Sequence, residues 1–482
     1  MKLSCIFALV TACASTSETP PRLPAPPTAI VPAPRPRDSR APRCSNEKPL
    51  VIRAGTVWTI AGKTYSPGEV LIVDGRIAAV GENVERPEDA EVIDAPAAHL
   101  TPGLIDTHSH LGVYPTPYID AVSDGNEATS PVTAEVQTVH SFWPQDPGLP
   151  RALAGGVTAL QILPGSANLV GGRAYTIKLH PGRGAEDLRF PGAPEGLKMA
   201  CGENPKRVYG KDRKTAPSTR MGNVAGYRAA FQDAREYRDK WQRSREKLAA
   251  WEKELAAAKP EEREKKQRDK PDPPDRNLQL ETLADVLDGK ILVHNHCYRA
   301  DEMLVMLGVA EEFGFAIRSF HHAVEAYKIR DVLAARKVGV STWADWWGFK
   351  LEAFDGIPEN AALVASAGAP AIIHSDSAVG VQRLNQEAAK ALAKGRAMGL
   401  KLTDEDALRW VTANPAWALG VEDRVGTIEV GKMADLALWS GPPLSVYSRA
   451  EKVWVDGVLE HDAKKGPRRS DFELGIVEEG SP

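Results

Sequence analysis

Two histidines separated by one serine, His108 and His110, follow the short apolar segment that begins at Leu104. Alternate residues of a strand project to the same face of a sheet, so both imidazoles can reach one cation. Neutral imidazole nitrogen is a preferred ligand of zinc and similar divalent cations. A pair this short is a weak motif by itself, and a metal site needs further ligands from elsewhere in the chain.

Three later apolar segments also end in side chains that bind metals. Their last residues read His294-Asn-His296, Phe320-His321-His322 and His374-Ser-Asp376. Imidazoles and carboxylates suit zinc-like cations, and a bound cation lowers the pKa of water toward neutrality. The sequence therefore predicts a metal site assembled from four segment ends.

These four segments belong to a series of eight β-type runs that alternate with helical stretches. The runs are 104–107, 157–163, 174–179, 197–201, 290–295, 316–321, 338–343 and 371–374. Strands that alternate with helices predict parallel pairing, and eight such units predict a closed (β/α)8 TIM-like barrel of the α/β class. The active site of such a barrel lies at the C-terminal ends of the strands, where these histidines fall.

The two ends of the chain have a different pattern. Residues 49–100 and 416–465 contain short β-type runs, and the Asp-Gly pairs that start at Asp74 and Asp456 are typical of hairpin turns. We expect both ends to pair into one small β-sandwich domain. Residues 101–415 are then the barrel.

A charge-dense insert, 233–276, separates the fourth run from the fifth. Within it Trp241, Leu248, Trp251 and Leu255 recur at spacings that predict an amphipathic helix. A lid or a partner-binding arm would have this composition, but so would a solvated helical excursion. We favour the excursion, because a thin apolar stripe among charges is usually one packed face.

The segment Thr101-Pro-Gly-Leu-Ile-Asp-Thr-His-Ser-His resembles the opening signature of the amidohydrolase superfamily. The resemblance extends to its imidazolonepropionase-like and prolidase-like members. Further matches are His322-Ala-Val-Glu325-Ala-Tyr327 and the closing segment Asn414-Pro-Ala…Leu419-Gly…Gly426-Thr-Ile…Gly431-Lys-Met-Ala-Asp435-Leu. Together they cover residues 50–460.

The resemblance implies a set of ligands for two divalent cations, with zinc expected. His108 and His110 would hold the more buried cation, and His296 and His322 the second. Asp376 would be both a ligand and the catalytic proton shuttle.

The resemblance also implies a group that bridges the two cations. In binuclear relatives this is a carboxylated lysine on the fourth strand, and Lys198 resembles it. Glu203 is the alternative, since a glutamate serves in other members, and Lys178 on the third run is a more distant candidate. We favour Lys198.

The implied activity is hydrolysis of a carbon-nitrogen bond other than an internal peptide bond in a small molecule. A cyclic amide, an N-acyl amino acid or a dipeptide would be the substrate. Tyr298 and Arg299 follow the fifth run and could hold a substrate carboxylate, because guanidinium matches that geometry. A surface salt bridge is the other interpretation of Arg299.

Two other functions remain open on the sequence. One keeps the fold but uses a single cation to deaminate a heterocycle, with no bridging group. The other is a barrel that has lost catalysis and serves as a binding or scaffold protein. The presence of every expected type of ligand argues against the scaffold.

Composition excludes one class of partner. The 60 basic and 64 acidic residues give a net charge of −4, which creates no broad positive field for nucleic acid.

The cysteines beyond Cys13 are Cys44, Cys201 and Cys297, an odd number at unrelated spacings, so no disulfide framework is predicted. A homo-oligomer remains open.

The N-terminal residues indicate export. Residues 1–13 resemble a lipoprotein-type signal that ends at Cys13, and residues 14–48 form a Pro-rich stretch typical of a tether. We therefore expect an exported periplasmic or outer-membrane lipoprotein of a bacterium, with a lipid anchor.

Overall fold

The computed structural model describes residues 48–116, 118–182 and 184–465. The predicted signal 1–13, nearly all of the predicted tether 14–48, and Cys44 lie outside the described residues. Within the described part of the chain, no helix combines the length and the apolar character needed to cross a bilayer.

The N-terminal strands occupy the part of the chain where β structure was predicted. They are β1 (Leu50–Trp58), β2 (Thr64–Tyr65), β3 (Gly68–Val73), β4 (Arg76–Gly81) and β5 (Glu91–Pro102). The turn between β3 and β4 contains Asp74 and Gly75, both at positive φ, as the Asp-Gly pair predicts.

Eight strands follow in a second sheet, one for each predicted run. They are β6 (Leu104–Ser109), β7 (Val157–Ile162), β8 (Val170–Lys178), β9 (Gly196–Ala200), β10 (Leu292–Cys297), β11 (Ile317–His322), β12 (Gly339–Thr342) and β13 (Ala371–Ile373). They pair in chain order from β6 to β13. The predicted barrel is confirmed in strand number and order.

The prediction that all eight strands are parallel is wrong for the third one. β8 is antiparallel to both β7 and β9. The connection from β7 to β8 is residues 163–169, and this is too short for the crossover that a parallel pair requires. A second reversal between β8 and β9 restores the direction of the remaining strands.

The ends of the barrel sheet meet through side chains and loops. No ladder joins β13 to β6 among the described residues. Instead the backbone N–H of Asp376 donates to the carbonyl of His108 at 3.0 Å. The buried carboxylate of Asp106 accepts from the backbone N–H of Ser375 at 3.1 Å and from the Ser375 hydroxyl. These bonds hold Ser375 and Asp376, two and three residues after β13, against β6.

Both ends of the chain join in one sheet, as expected. The last strands are β14 (Leu436–Trp439), β15 (Ala450–Val455) and β16 (Val458–Asp462). Strand β14 pairs with β5, so the order is β16-β15-β14-β5-β1-β3-β4, with β2 on β1. The strands therefore form one continuous sheet. Apolar residues from both of its ends, including Ile52 and Trp454, pack in a common core.

The helices cover the barrel. They are α1 (Gly148–Ala154), α2 (Ala185–Leu188), α3 (Glu203–Lys206), α4 (Arg220–Ala257), α5 (Pro260–Arg268), α6 (Leu278–Leu287), α7 (Ala300–Phe313), α8 (Arg330–Ala335), α9 (Asn360–Ser366), α10 (Leu384–Ala397), α11 (Asp404–Arg409) and α12 (Ala413–Ala418).

Helix α4 contains the helix that the apolar stripe predicts, but it begins earlier, at Arg220. Thr219 caps it by accepting from the backbone N–H of Gly222. Its buried residues lie between Asn223 and Ala234, in the part that packs against the barrel. Farther along, the Trp251 indole donates to the Lys266 carbonyl of α5 at 2.6 Å. One residue of the stripe, Trp251, thus joins α4 to α5.

Candidate metal centre

His108, His110 and Asp376 meet where β6 ends beside β13. Their ligand atoms all lie within 4.8 Å of one another. The Nε2 atoms of the two histidines are 3.3 Å apart, and Asp376 Oδ1 lies 3.3 Å from His110 Nε2. The His108 side chain is 1% exposed, whereas those of His110 and Asp376 are 20% and 23% exposed. His108 is thus the floor of the site, and the other two face its opening.

His322 and His374 form a second group with His108, again with ligand atoms within 4.8 Å. His322 ends β11, and its backbone N–H donates to His374 Nε2 at 3.2 Å. His296, at the end of β10, lies against His322 with ring centroids 4.5 Å apart. The structure thus brings together the five predicted ligands from β6, β10, β11 and the end of β13. The structure also places His374 in the group. The sequence could have indicated this histidine, because it stands two residues before Asp376.

The backbone at the site is unusual. His322 has φ 71°, Ala323 φ 38° and Asp376 φ 47°. Residues with side chains rarely adopt the left-handed region, which costs of order 1–3 kcal/mol for each residue. Two predicted ligands are therefore held in strained conformations at the ends of their strands. This concentration of strain at one place is typical of a functional site.

Several histidine nitrogens at this site are buried without a hydrogen-bond partner among the described residues. They are His296 Nδ1 and Nε2, His322 Nδ1 and His374 Nδ1. Burial lowers the pKa of His296 and His322 well below the usual value, so these imidazoles are neutral and carry free lone pairs. Buried polar atoms are normally paired. A divalent cation would satisfy these nitrogens, and the donor set therefore fits a metal centre.

Asp376 is the carboxylate of the centre. Burial raises its pKa, but the hydrogen bond from His110 and nearby positive charge outweigh burial and lower the pKa below the ordinary value. The group is therefore ionised at neutral pH. It can act as a ligand or accept a proton.

Lys198 lies on β9 inside the barrel, with Nζ 3.2 Å from His108 Nε2. Its side chain is fully buried, and burial lowers the pKa of the ammonium to about 7. A large fraction of this lysine is therefore a neutral amine at physiological pH. The structure thus puts Lys198 beside His108, a predicted ligand.

Glu203 lies at the edge of the site and not among the histidines, since its neighbour Lys350 lies 3.8 Å over the ring of Tyr298. It begins α3, with its carboxylate 3.7 Å from Lys350 Nζ, and its side chain is 32% exposed. No described contact joins it to a histidine of the centre. This geometry favours Lys198 over Glu203 as the bridging side chain.

Lys178, the third candidate, is far from the histidines. It ends β8, and because that strand is reversed its end lies at the opposite side of the barrel. Its ammonium bonds Asp435 at 2.9 Å and also bonds Asp456, both buried. The lysine therefore ties the barrel to the sheet of the chain ends.

The two predicted substrate contacts have different surroundings. Tyr298 is buried and stacks on His322 with centroids 5.0 Å apart. Arg299 pairs with Asp301 at 2.9 Å, and its side chain is 41% exposed. These contacts favour a surface salt bridge over a substrate contact for Arg299. Tyr298 stays a candidate that lines the centre.

A tryptophan on the β12 side was not predicted. Trp343 stacks on His322 with centroids 4.6 Å apart, and its indole N–H donates to the Ser375 carbonyl at 2.9 Å. Trp346 in turn stacks on Trp343 at 4.8 Å. These rings form an apolar wall that begins at a ligand and ends at the surface.

The expectation that the cysteines form no disulfide is wrong for one pair. Cys201, after β9, is bonded to Cys297 at the end of β10, and 96 residues separate them in sequence. These two strands are neighbours, so the fold brings together residues whose spacing carries no signal. Cys297 directly follows His296. The bond therefore clamps the strand end that presents this histidine.

Comparison with known proteins identifies the family of the chain. Residues 338–459 match the sequence profile described as "Amidohydrolase family". "Amidohydrolase tasK" of Hapsidospora irregularis is 33% identical, over 93% of this chain and 48% of the relative. An amidohydrolase structure from Thermotoga maritima MSB8 is 38% identical with a TM-score of 0.74, over 86% of this chain and 100% of that one. This chain belongs to the amidohydrolase superfamily.

Members of this superfamily are hydrolases that use divalent metals. The chain spans about half the length of the tasK relative. A dihydroorotase from Anaeromyxobacter dehalogenans (strain 2CP-C) is 42% identical over 79 residues, 16% of this chain and 18% of that protein. These relatives do not fix the substrate of this chain.

Proposed function

We propose that this amidohydrolase hydrolyses a carbon-nitrogen bond, other than an internal peptide bond, in a small molecule. A cyclic amide, an N-acyl amino acid or a dipeptide is the substrate class. The observation that carries the proposal is the set of unpartnered, neutral histidine nitrogens around an ionised Asp376. The local similarity to a dihydroorotase favours a cyclic amide among these substrate classes.

Two divalent cations, zinc in the first instance, fit the donor set. His108 and His110 would hold one, and His296 and His322 the other, with Asp376 as a further ligand. Lys198 would bridge them as a carbamate formed from its neutral amine and carbon dioxide. Its Nζ is 3.2 Å from His108 Nε2, and its burial keeps the amine available for that reaction.

A bound cation supplies Lewis acidity, which polarises a carbonyl and lowers the pKa of water. The protein's own residues transfer the proton and exclude water. Asp376 accepts the proton of the attacking water on a carboxylate oxygen and returns it to the departing nitrogen, which leaves as an amine. Tyr298 and Trp343 flank His322 and keep bulk water from that side of the centre.

Activity of the purified full chain, loaded with zinc, tests the proposal. A panel of dipeptides, N-acyl amino acids, lactams and hydantoins should yield one class of product with a free amine. The Asp376→Asn variant should retain its cations and lose turnover. No turnover of any panel member by fully loaded protein would contradict the proposal.

Deamination of a heterocycle at one cation is the second candidate. The compact group of His108, His110 and Asp376 would suffice for a single ion. One tightly held cation that is indifferent to Lys198→Met and Glu203→Gln, together with ammonia as product, would favour deamination. Two cations with loss of one in Lys198→Met favour the first proposal.

We further propose that the protein is exported and anchored through Cys13. The support is the sequence of residues 1–13 alone. Expression in a bacterial host with Cys13→Ser should abolish membrane association. A soluble wild-type protein with an intact N-terminus would contradict the anchor.

A further inference from the structure

Behind the metal ligands lies a line of hydrogen-bonded side chains that the proposed reaction does not use. His108 Nδ1 is 2.8 Å from His321 Nδ1, and His321 Nε2 is 2.9 Å from His294 Nδ1. His294 Nε2 is in turn 3.2 Å from the Gln161 amide. All four side chains are buried. The line runs from the floor of the metal centre to strand β7.

The protons in this line are coupled. His294 and His321 are fully buried, and burial disfavours the charged form of an imidazole. A neutral imidazole carries one N–H donor and one acceptor nitrogen. Each ring that donates on one side must therefore accept on the other. One choice of tautomer at either end fixes every tautomer between.

A cation bound to His108 Nε2 would make that choice. This nitrogen faces His110 Nε2 at 3.3 Å and Lys198 Nζ at 3.2 Å, on the side of the predicted ligands. A ligand nitrogen must be unprotonated. The proton of His108 then sits on Nδ1 and is donated to His321 Nδ1. Consequently His321 donates from Nε2 to His294 Nδ1, and His294 donates from Nε2 toward Gln161.

Gln161 can accept that proton only through Oε1. Its Nε2 is the atom placed toward His294, while Oε1 is buried with no partner among the described residues. A half-turn of the amide exchanges the two atoms. With Nε2 toward His294 every donor in the line points at His108, and with Oε1 toward His294 every donor points away from it.

The surroundings leave room for this amide. Gly196 on β9 lies beside it, and a Cβ at that position would come within 2.7 Å of Gln161 Nε2 and 3.1 Å of His294 Cδ2. A glycine at this point of the barrel therefore permits the close approach of Gln161 to His294.

We propose that Gln161, His294 and His321 form a buried relay that fixes the tautomer of His108 and so sets the affinity of the cation there. The proposal rests on the metal centre of the proposed function. Gln161, His294 and His321 are positioning residues, because they act only through His108.

Variants of Gln161 test the relay without any assay of hydrolysis. Gln161→Leu removes the acceptor and should weaken zinc binding about tenfold, the lower range for loss of an outer hydrogen bond to a ligand. Gln161→Glu keeps an acceptor and should retain the wild-type affinity or exceed it. Thr158→Val is the matched control, since Thr158 is a buried residue of the same strand with an unpartnered hydroxyl. Competition with a chelator gives the affinities.

The two Gln161 variants must differ for the relay to stand. Equal affinity in both, whether lowered or unchanged, would overturn it, because packing alone would then explain the result. A second measurement uses the wild-type chain, so the relay can still be tested if a variant fails to fold. In the zinc-loaded protein, ¹⁵N NMR of labelled histidines should show His321 and His294 protonated on Nε2, and protonation of either on Nδ1 would overturn the relay.

These readouts separate the relay from the proposed reaction. A protein that binds zinc with the expected tautomers and hydrolyses nothing would refute the reaction alone. A protein that hydrolyses the panel, with zinc affinity indifferent to both Gln161 variants, would refute the relay alone.

Discussion

Lys198 Nζ lies 3.2 Å from the Nε2 of His108, across the interior of the barrel from β9 to β6. A charged ammonium at that distance would repel a cation held by the same nitrogen. A neutral amine, or the carbamate formed from it, would not. The protonation state of one lysine therefore decides whether the predicted ligands can work together.

The first prediction concerns the identity of the bridge. Lys198→Met should lower the number of bound cations from two to one and reduce turnover at least 100-fold, because the second cation loses its shared ligand. Glu203→Gln is the control, since Glu203 lies beside Lys350 and outside the cluster. Elemental analysis of both purified variants measures the difference. The reverse pattern would make Glu203 the bridge.

The second prediction follows from the pKa of Lys198, which burial lowers from 10.5 to about 7. Only the neutral amine reacts with carbon dioxide, so this form is mostly present above pH 7 and is lost as the pH falls below it. At a fixed concentration of dissolved carbon dioxide, the rate at which cation-free protein regains two cations should drop about tenfold between pH 8 and pH 6. A rate independent of pH over this range would argue against a carbamate.

The third prediction concerns Asp376. Asp376→Asn removes the proton acceptor but keeps a side chain of the same shape, and general base catalysis contributes about 10²–10⁴-fold. We expect turnover to fall by this amount, with substrate KM changed less than threefold. Ser377→Ala, one residue along the same loop, should leave turnover near wild type. Steady-state kinetics on the best panel substrate measures both.

The fourth prediction concerns the disulfide between Cys201 and Cys297. It closes a loop of 96 residues, and such a bond stabilises a protein by about 2–4 kcal/mol, mainly through the unfolded state. The double variant Cys201→Ala, Cys297→Ala should lose this much free energy of unfolding in urea. It should also bind the second cation less tightly, because Cys297 follows His296. An unchanged unfolding midpoint would show that the bond is absent in the protein as made.

The sequence alone locates most of the fold and the site, because both depend on local patterns. Each barrel strand is an apolar run, and the ligands follow such runs directly. The direction of β8 was missed because a run of apolar residues has no direction. Its true start at Val170 was missed because Gly171 and Gly172 interrupt the pattern.

Contacts between distant segments were beyond the sequence. The disulfide joins cysteines with no informative spacing, and the relay joins Gln161 to His294, 133 residues later. His374 is not in the ligand set that the resemblance implies, and only the structure shows its ring accepting from the backbone N–H of His322. These contacts form only when the strands close into a barrel, so the apolar runs alone do not predict them.

The cation content of the purified full chain, measured together with its hydrolytic activity, tests the central claim most directly. We predict about two equivalents of zinc per chain, loss of activity when a chelator removes them, and recovery when they are restored. The double variant His296→Ala, His322→Ala should bind no second cation and remain inactive after loading. Undiminished hydrolysis by protein stripped of its cations would contradict the account.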